Sequence, residues 1–151
     1  RANTCRRRIN NYKLMAKFNW LKYCIPCKSW CCKGENPYTS KGDGYTGKIK
    51  MKPNGDCEFQ EEGKCSIYDK RPFECRTFPF DIKRINGKLM WILWKSCPAH
   101  DKIDVKKLLK EREESIKKVY SKEYVEAYVK YHEKNEPKKY KAEKYIVLKE
   151  F

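Results

Sequence analysis

The chain has 151 residues, of which 40% are hydrophobic and 37% are charged, and its formal net charge is +16. This length suits one domain with a modest core, so cross-links would have to supply part of the stability. The longest uninterrupted apolar run, 89–94, is far too short to cross a bilayer, and we therefore expect no membrane insertion.

The N-terminal part of the chain predicts a helix followed by turns. Apolar residues recur near helical spacing over 8–22, until a Cys-x2-Cys segment at 24–27 ends the pattern. The stretch that follows is rich in glycine, lysine and asparagine, which indicates a loop and then a hairpin that turns at 53–56. One more glycine turn comes next, so Cys57 and Cys65 are expected on adjacent short strands or at their ends.

The clearest local signal is a hairpin over 82–94. Asn86-Gly87 stands between two apolar runs, and this dipeptide is favoured in two-residue hairpin turns because both positions need a positive φ. Alternation divides the second strand into two apolar faces: Leu89, Trp91 and Leu93 on one, and Met90, Ile92 and Trp94 on the other. We expect this hairpin to be covered on both sides or to form an interface.

Beyond residue 100 the pattern becomes helical. Asp104 is placed to cap a helix whose apolar stripe runs over 105–120, and Ser121 is placed to break or recap that helix. The stripe resumes to about residue 136, where Pro137 ends it. The segment 145–148 predicts a last strand or a docked tail.

These elements together predict an α+β fold. We expect a small, irregular, metal-stapled domain with a β-hairpin and with N- and C-terminal helices. Residues 1–100 are assigned to a cysteine-cluster metal-binding domain, and 101–151 to a helical extension packed on the same domain. The helical stripe needs an apolar partner, and the two-sided hairpin is the best candidate.

Eight of the nine cysteines lie within 24–97, and their spacing is the strongest functional signal in the chain. They are Cys24, Cys27, Cys31, Cys32, Cys57, Cys65, Cys75 and Cys97. A disulfide framework fits poorly, because vicinal cysteines do not easily bridge each other, a Cys-x2-Cys loop closes little chain entropy, and the total is odd. Thiolates that converge on a metal fit better and agree with a reducing, cytoplasmic setting. Cys5 stands apart and is expected to be a small buried hydrophobe.

A long and specific string surrounds Cys75. It runs Cys65-Ser66-Ile67-Tyr68-x2-Arg71-Pro72-x2-Cys75-Arg76-Thr77-Phe78-Pro79, and Cys97-Pro98 follows it. With the earlier cysteines, this half of the chain resembles the YkgJ-type cysteine-cluster family, whose members are described as zinc- or iron-chelating domains related to the flagellin lysine N-methylases. The resemblance implies a shared metal centre whose ligands are drawn from the eight cysteines, and a 4Fe-4S cluster by analogy with the methylases.

The metal stays open between iron and zinc at this point. Eight thiolates are the number that two 4Fe-4S clusters require, and such clusters would serve electron transfer or assist modification of another protein. The alternative is a structural zinc module with four thiolates at each site. Arg71 and Arg76 flank Cys75, where we expect them either to bind the cofactor by hydrogen bonds to its sulfurs or to fix the loop. His100 is a further candidate zinc ligand.

The sequence assigns no reaction and therefore no catalytic residue, because it contains no glycine-rich phosphate loop and no HExxH motif. Residues 1–33 carry nine lysines or arginines and no acidic residue, which favours an acidic partner. We expect that partner to be an acidic protein, with nucleic acid as the alternative and with membership of a larger complex as one form of the association. The alternative interpretation is that these basic residues lie on a face exposed to solvent and bind no partner.

Overall fold

The computed structural model describes residues 21–27, 30–32, 37–135 and 144–151. Within them it contains four helices and two small antiparallel sheets, which confirms an α+β fold. The helices are α1 (Leu21–Cys24), α2 (Phe73–Thr77), α3 (Val105–Val119) and α4 (Lys122–Asn135), with 3-10 turns at Trp30–Cys32 and Tyr68–Lys70. The strands are β1 (Gln60–Glu61), β2 (Lys64–Cys65), β3 (Phe80–Ile85), β4 (Lys88–Trp94) and β5 (Tyr145–Glu150).

The described ranges bear on two further expectations, the N-terminal helix and the absence of a membrane-spanning helix. The helix expected over 8–22 lies almost entirely outside the described residues, and so does Cys5. None of the helices in the described ranges is long and apolar enough to cross a membrane. Metal stapling and the boundary at residue 100 stay predictions.

Strands β3 and β4 form the predicted hairpin. They pair antiparallel along their whole length around Asn86 and Gly87, whose φ angles are 51° and 77°. Both turn residues therefore adopt the left-handed conformation that favours Asn-Gly in this turn. Strand β5 pairs antiparallel with the other edge of β4, so the segment 145–148 belongs to a strand and the sheet order is β3-β4-β5.

One face of this sheet forms the main core with α3 and α4. The buried cluster contains Phe73, Phe80, Ile82, Leu89, Trp91, Leu93, Leu109, Ile116, Tyr120, Val125, Tyr128 and Val129. The predicted packing of the C-terminal helices on the hairpin is therefore confirmed, and it follows from the alternation that places Trp91 at 0% exposure. Val119 lies within the apolar stripe expected over 105–120, but it is 55% exposed at the end of α3, so that part of the expectation is wrong.

The opposite face of the sheet has a smaller apolar cluster. Ile92 and Trp94 are buried there with Phe78 and Ile85 beside them. Tyr145 packs edge-on against Trp94, with the ring centroids 5.6 Å apart. Val147 of β5, which pairs with Ile92, is 45% exposed, so the expected cover of both faces is complete on only one.

A buried carboxylate, Asp43, joins the loop at 37–44 to the helical half of the molecule. Its Oδ1 accepts hydrogen bonds from the backbone N–H of Phe73 (2.8 Å) and the hydroxyl of Tyr120 (3.0 Å). Its Oδ2 accepts from the backbone N–H of Ser40 (2.9 Å) and the hydroxyl of Tyr124 (2.7 Å). These bonds fix the start of α2, the helix that contains Cys75, against the junction of α3 and α4.

The loop at 37–44 requires a glycine at position 44, directly after Asp43. A Cβ atom at Gly44 would lie 2.8 Å from the backbone Cα of Lys70, closer than two such atoms can approach. Only glycine therefore lets this loop contact the 3-10 turn at Tyr68–Lys70, which precedes the cysteine-bearing helix α2.

Candidate metal centre

All eight cysteines of the predicted cluster are free thiols. Cys97 is buried and the other seven are half-buried. No disulfide joins these eight cysteines to one another. Unpaired thiols are available to bind a metal.

Short elements and turns hold these cysteines. Cys24 ends α1, Cys27 lies in the turn that follows, and its backbone N–H donates to the carbonyl of Tyr23 at 3.2 Å. The vicinal pair at 31–32 lies in the 3-10 turn, and the backbone N–H of Cys57 donates to the carbonyl of Cys32 at 2.8 Å. This backbone bond joins the early cysteines to the later ones across an intervening loop.

The remaining cysteines lie beside the two sheets. Cys65 ends β2 opposite Gln60, Cys75 is in the middle of α2, and Cys97 follows β4 in a turn. The expected position of Cys65 at the end of a short strand is confirmed, whereas Cys57 lies three residues before β1, in an isolated bridge with Met51.

Backbone amides are directed at three of the sulfurs. The N–H of Phe59 donates to the sulfur of Cys57 and lowers the pKa that its burial raises, while the N–H of Gln60 donates to the carbonyl oxygen of Cys57 at 2.9 Å. The N–H of Ile67 acts in the same way on Cys65, and that of Ala99 on Cys97. Each sulfur thus accepts from the residue two positions later in the chain. Such bonds stabilise negatively charged sulfur and are one of the ways in which proteins tune metal-bound thiolates.

The sulfurs also influence one another, chiefly through Cys32. Burial and the charges of neighbouring cysteines raise the pKa of Cys24 to about 11. The pKa of Cys31 is raised well above its usual value, first by a hydrogen bond with Cys32 and then by burial. The charge of Cys32 raises the pKa of five other thiols: Cys24, Cys31, Cys57, Cys65 and Cys75.

The last two cysteines join this group through Cys24. The charges of Cys97 and Cys27 both act on Cys24, and the pKa of Cys97 is raised by burial and then by the charge of Cys27. All eight described cysteines therefore belong to one electrostatically interacting group, although they come from seven separate elements and turns.

The cysteines of this group offer donor atoms that suit a metal, but their side chains are not arranged as metal ligands. Across the described ranges, no three side chains of His, Cys, Asp or Glu are arranged so that they could hold a metal ion. Thiolates nevertheless suit both zinc and iron-sulfur clusters. Because neighbouring thiols raise each other's pKa, loss of their protons requires a compensating positive charge, which a bound metal would supply.

The two arginines of the matched string fix the backbone around Cys75. Arg71 donates from Nε to the carbonyl of Tyr68 (2.9 Å) and from Nη1 to that of Cys75 (3.2 Å). Arg76 donates from Nε to the carbonyl of Arg71 (2.7 Å) and from Nη2 to that of Asp69 (2.6 Å). Loop fixation is therefore visible, whereas a bond from either arginine to a cofactor stays a prediction.

Arg71 also acts on the thiols through its charge. It opposes the effect of burial on three of them and lowers the pKa of Cys24, Cys65 and Cys75. The other candidate, His100, places Nδ1 2.8 Å from the carbonyl oxygen of Cys97. This contact fixes the imidazole ring against the backbone and leaves the role of His100 as a zinc ligand a prediction.

The sequence alone did not identify a second group of titratable side chains beside α2. The pKa of Asp81 is raised by burial and by the charge of Glu74. Burial lowers the pKa of His132, but Glu74, whose Oε2 lies 3.4 Å from Nε2, and the charge of Asp81 reverse that effect and leave the pKa raised. The ring of Tyr128 packs against the imidazole at 4.5 Å. Glu74 directly precedes Cys75, and this adjacency is the only local signal of the group in the sequence.

Comparison with known proteins gives no relative. The chain matches no protein-family model, no curated protein and no solved structure. The resemblance to the YkgJ-type cysteine-cluster family therefore stays a prediction based on its residues.

Proposed function

We propose that this chain is a metal-binding cysteine-cluster protein, with one or two 4Fe-4S clusters that serve electron transfer or modification of another protein. The observation that supports this proposal is the group of eight free thiols that interact with one another, three of which accept backbone hydrogen bonds. Structural thiols that act only as small hydrophobes have no need of donors directed at their sulfur atoms.

The ligands in this proposal are the eight cysteines of the group. Coordination would require their sulfurs to come closer together, and the amides at Cys57, Cys65 and Cys97 would then stabilise the thiolates. A bound iron-sulfur cluster would supply one-electron transfer. Arg71 would keep a positive charge beside the thiolates, and the half-burial of the sulfurs would limit their contact with water.

The proposal is tested by metal analysis of protein that is purified without oxygen. Iron and sulfide in equal amounts, together with a brown absorption, would support clusters. Zinc without sulfide in colourless protein would support the alternative, a structural zinc module. Protein that binds neither metal would refute both.

Two cysteine variants show whether the group binds the metal. We expect Cys32→Ser to lose most of the metal, because the charge of Cys32 acts on five of the other thiols. Cys5→Ser is the matched control, since Cys5 stands apart from the cluster in the sequence, and it should keep the wild-type metal content. Equal metal content in the two variants would contradict the assignment.

The partner is a separate part of the proposal, and it rests on sequence alone because most of residues 1–33 lie outside the described ranges. The basic segment would bind an acidic protein, and binding would weaken as salt increases. Reversal of Arg6, Arg7 and Arg8 to glutamate should weaken capture without changing metal content. Capture that is lost on nuclease treatment would instead indicate nucleic acid.

A further inference from the structure

Strand β5 forms an open edge of the larger sheet. The strand order is β3-β4-β5, so no strand in the described ranges pairs with the outer edge of β5. The other edge strand, β3, has no exposed residue, whereas every residue of β5 except Leu148 is exposed. An exposed edge of this kind is a template on which another extended chain can pair.

The register between β4 and β5 determines which backbone groups face outward. The N–H of Lys95 donates to the carbonyl of Lys144 at 2.9 Å, and Trp94 and Tyr145 form the next pair of the ladder. Hydrogen-bonded and non-hydrogen-bonded pairs alternate along an antiparallel ladder, so the backbone groups of Tyr145 and Val147 are directed away from β4. No residue in the described part of the chain pairs with these outward N–H and C=O groups.

The side chains on this edge are apolar on both faces of the strand. Tyr145, Ile146 and Val147 are 39%, 40% and 45% exposed, and successive side chains of a strand point to opposite faces. Charged residues or prolines normally block pairing at an edge, and these three positions contain neither. The uniform edge ends after Val147, because Leu148 is the extra residue of a bulge in the pairing with β4.

We propose that β5 pairs with β5 of a second copy of this chain across a two-fold axis at Ile146. A hydrogen-bonded pair at such an interface must join residues whose backbone groups face outward, and Tyr145 opposite Val147 of the second copy meets this condition. Two-fold symmetry repeats the pair, since Val147 then lies opposite Tyr145 of the second copy. The register is therefore set by the backbone of β5 itself.

This register also covers the exposed apolar side chains of the edge. Tyr145 packs beside Val147 on one face of the joined sheet, and Ile146 packs against Ile146 on the other, in a non-hydrogen-bonded pair where side chains lie closest. A contact of three residues from each chain is smaller than the roughly 1,200–2,000 Å² of a stable interface. We therefore expect a weak dimer that forms at high protein concentration.

The test is sedimentation equilibrium of the whole chain at concentrations up to roughly 1 mM, the weak end of specific association. We expect an equilibrium between monomer and dimer. Ile146→Lys and Ile146→Glu should each weaken dimerisation by about tenfold or more, because each places like charges opposite each other at the two-fold axis. An equal mixture of the two variants should dimerise again, since lysine then lies opposite glutamate. Val119→Lys is the matched control at another exposed apolar side chain, and it should dimerise as the wild type does.

Three outcomes of sedimentation would overturn the proposal. A wild type that stays monomeric would do so, and the edge would then be open to an extended segment of another protein. Dimerisation that is unchanged in Ile146→Lys would place the interface on a different surface. A mixture that associates no better than the separate variants would show that Ile146 does not face its own copy.

Amide hydrogen exchange in the wild type keeps the test decisive if a variant fails to fold. The N–H groups of Tyr145 and Val147 face solvent in the monomer and would be bonded in the dimer. Their exchange should therefore slow as the protein concentration is raised, whereas exchange at the hairpin turn of Asn86 and Gly87 should not change. Exchange at Tyr145 and Val147 that is independent of concentration would overturn the pairing.

Discussion

Asp43 gives the sharpest test of how this fold is held together. The substitution Asp43→Asn keeps the size and shape of the side chain but replaces one acceptor oxygen with an NH2 group. Each carboxylate oxygen accepts one backbone N–H and one tyrosine hydroxyl. In either orientation of the amide, two donors therefore face an NH2 group and lose their bonds.

The expected cost follows from the number of bonds lost. Hydrogen bonds to a charged acceptor contribute about 1.5–3 kcal/mol each, so the loss of two should lower the free energy of unfolding by about 3–6 kcal/mol. For a chain of this length, such a loss corresponds to a decrease of roughly 6–24 °C in the unfolding temperature. The assay is denaturant or thermal unfolding, with Asp69→Asn as a control at an exposed carboxylate, which should change stability by less than about 0.5 kcal/mol.

A double-mutant cycle locates the effect at the tyrosine contacts. Tyr124→Phe alone removes the 2.7 Å bond to Asp43, but in the Asp43→Asn background it removes a group that has already lost its acceptor. The combined cost should therefore be smaller than the sum of the separate costs. Strictly additive costs, or an Asp43→Asn variant as stable as the wild type, would refute this account of the anchor.

Three other outcomes are expected. The pKa of His132 is raised above its usual 6.5, so its protonation stabilises the fold below that pH, and this contribution is lost as the pH rises through its folded-state pKa. Unfolding measured from pH 5 to 9 should show this loss in the wild type and not in His132→Gln. In reduced, metal-free protein, thiolate absorbance should show that Arg71→Gln raises the pKa of Cys24 and that Arg71→Lys leaves it nearly unchanged. Gly44→Ala should cost about 1–3 kcal/mol of stability in denaturant unfolding, because its methyl group collides with the backbone of Lys70, and an unchanged midpoint would contradict the close approach.

Elements determined by nearby residues could be predicted from the sequence. The hairpin followed from Asn86-Gly87 between alternating apolar residues, and the start of α3 followed from Asp104, whose side chain accepts from the backbone N–H of Lys107 at 3.0 Å. The break between α3 and α4 followed from Ser121, whose hydroxyl accepts from the backbone N–H of Tyr124 at 3.1 Å. In each case the residue and its partner are a few positions apart, so a local pattern contains the information.

The anchors between distant segments could not be predicted in this way. Asp43 binds tyrosines 77 and 81 positions later, and nothing near Asp43 in the sequence indicates that it is buried. For the cysteines, spacing predicted a shared metal site, but the distances that would identify a metal depend on the fold of the turns between them.

The order of strands in the larger sheet determines which strand is expected to detach first in local unfolding. On one side, β4 pairs with β3 through a two-residue turn, whereas on the other it pairs with β5 across contacts such as Lys88 with Glu150, 62 positions apart. Most side chains of β5 are exposed, so little apolar burial opposes its release. We expect amide hydrogens of β4 that bond to β5 to exchange faster than those that bond to β3, because detachment of one edge strand exposes the former and leaves the hairpin intact.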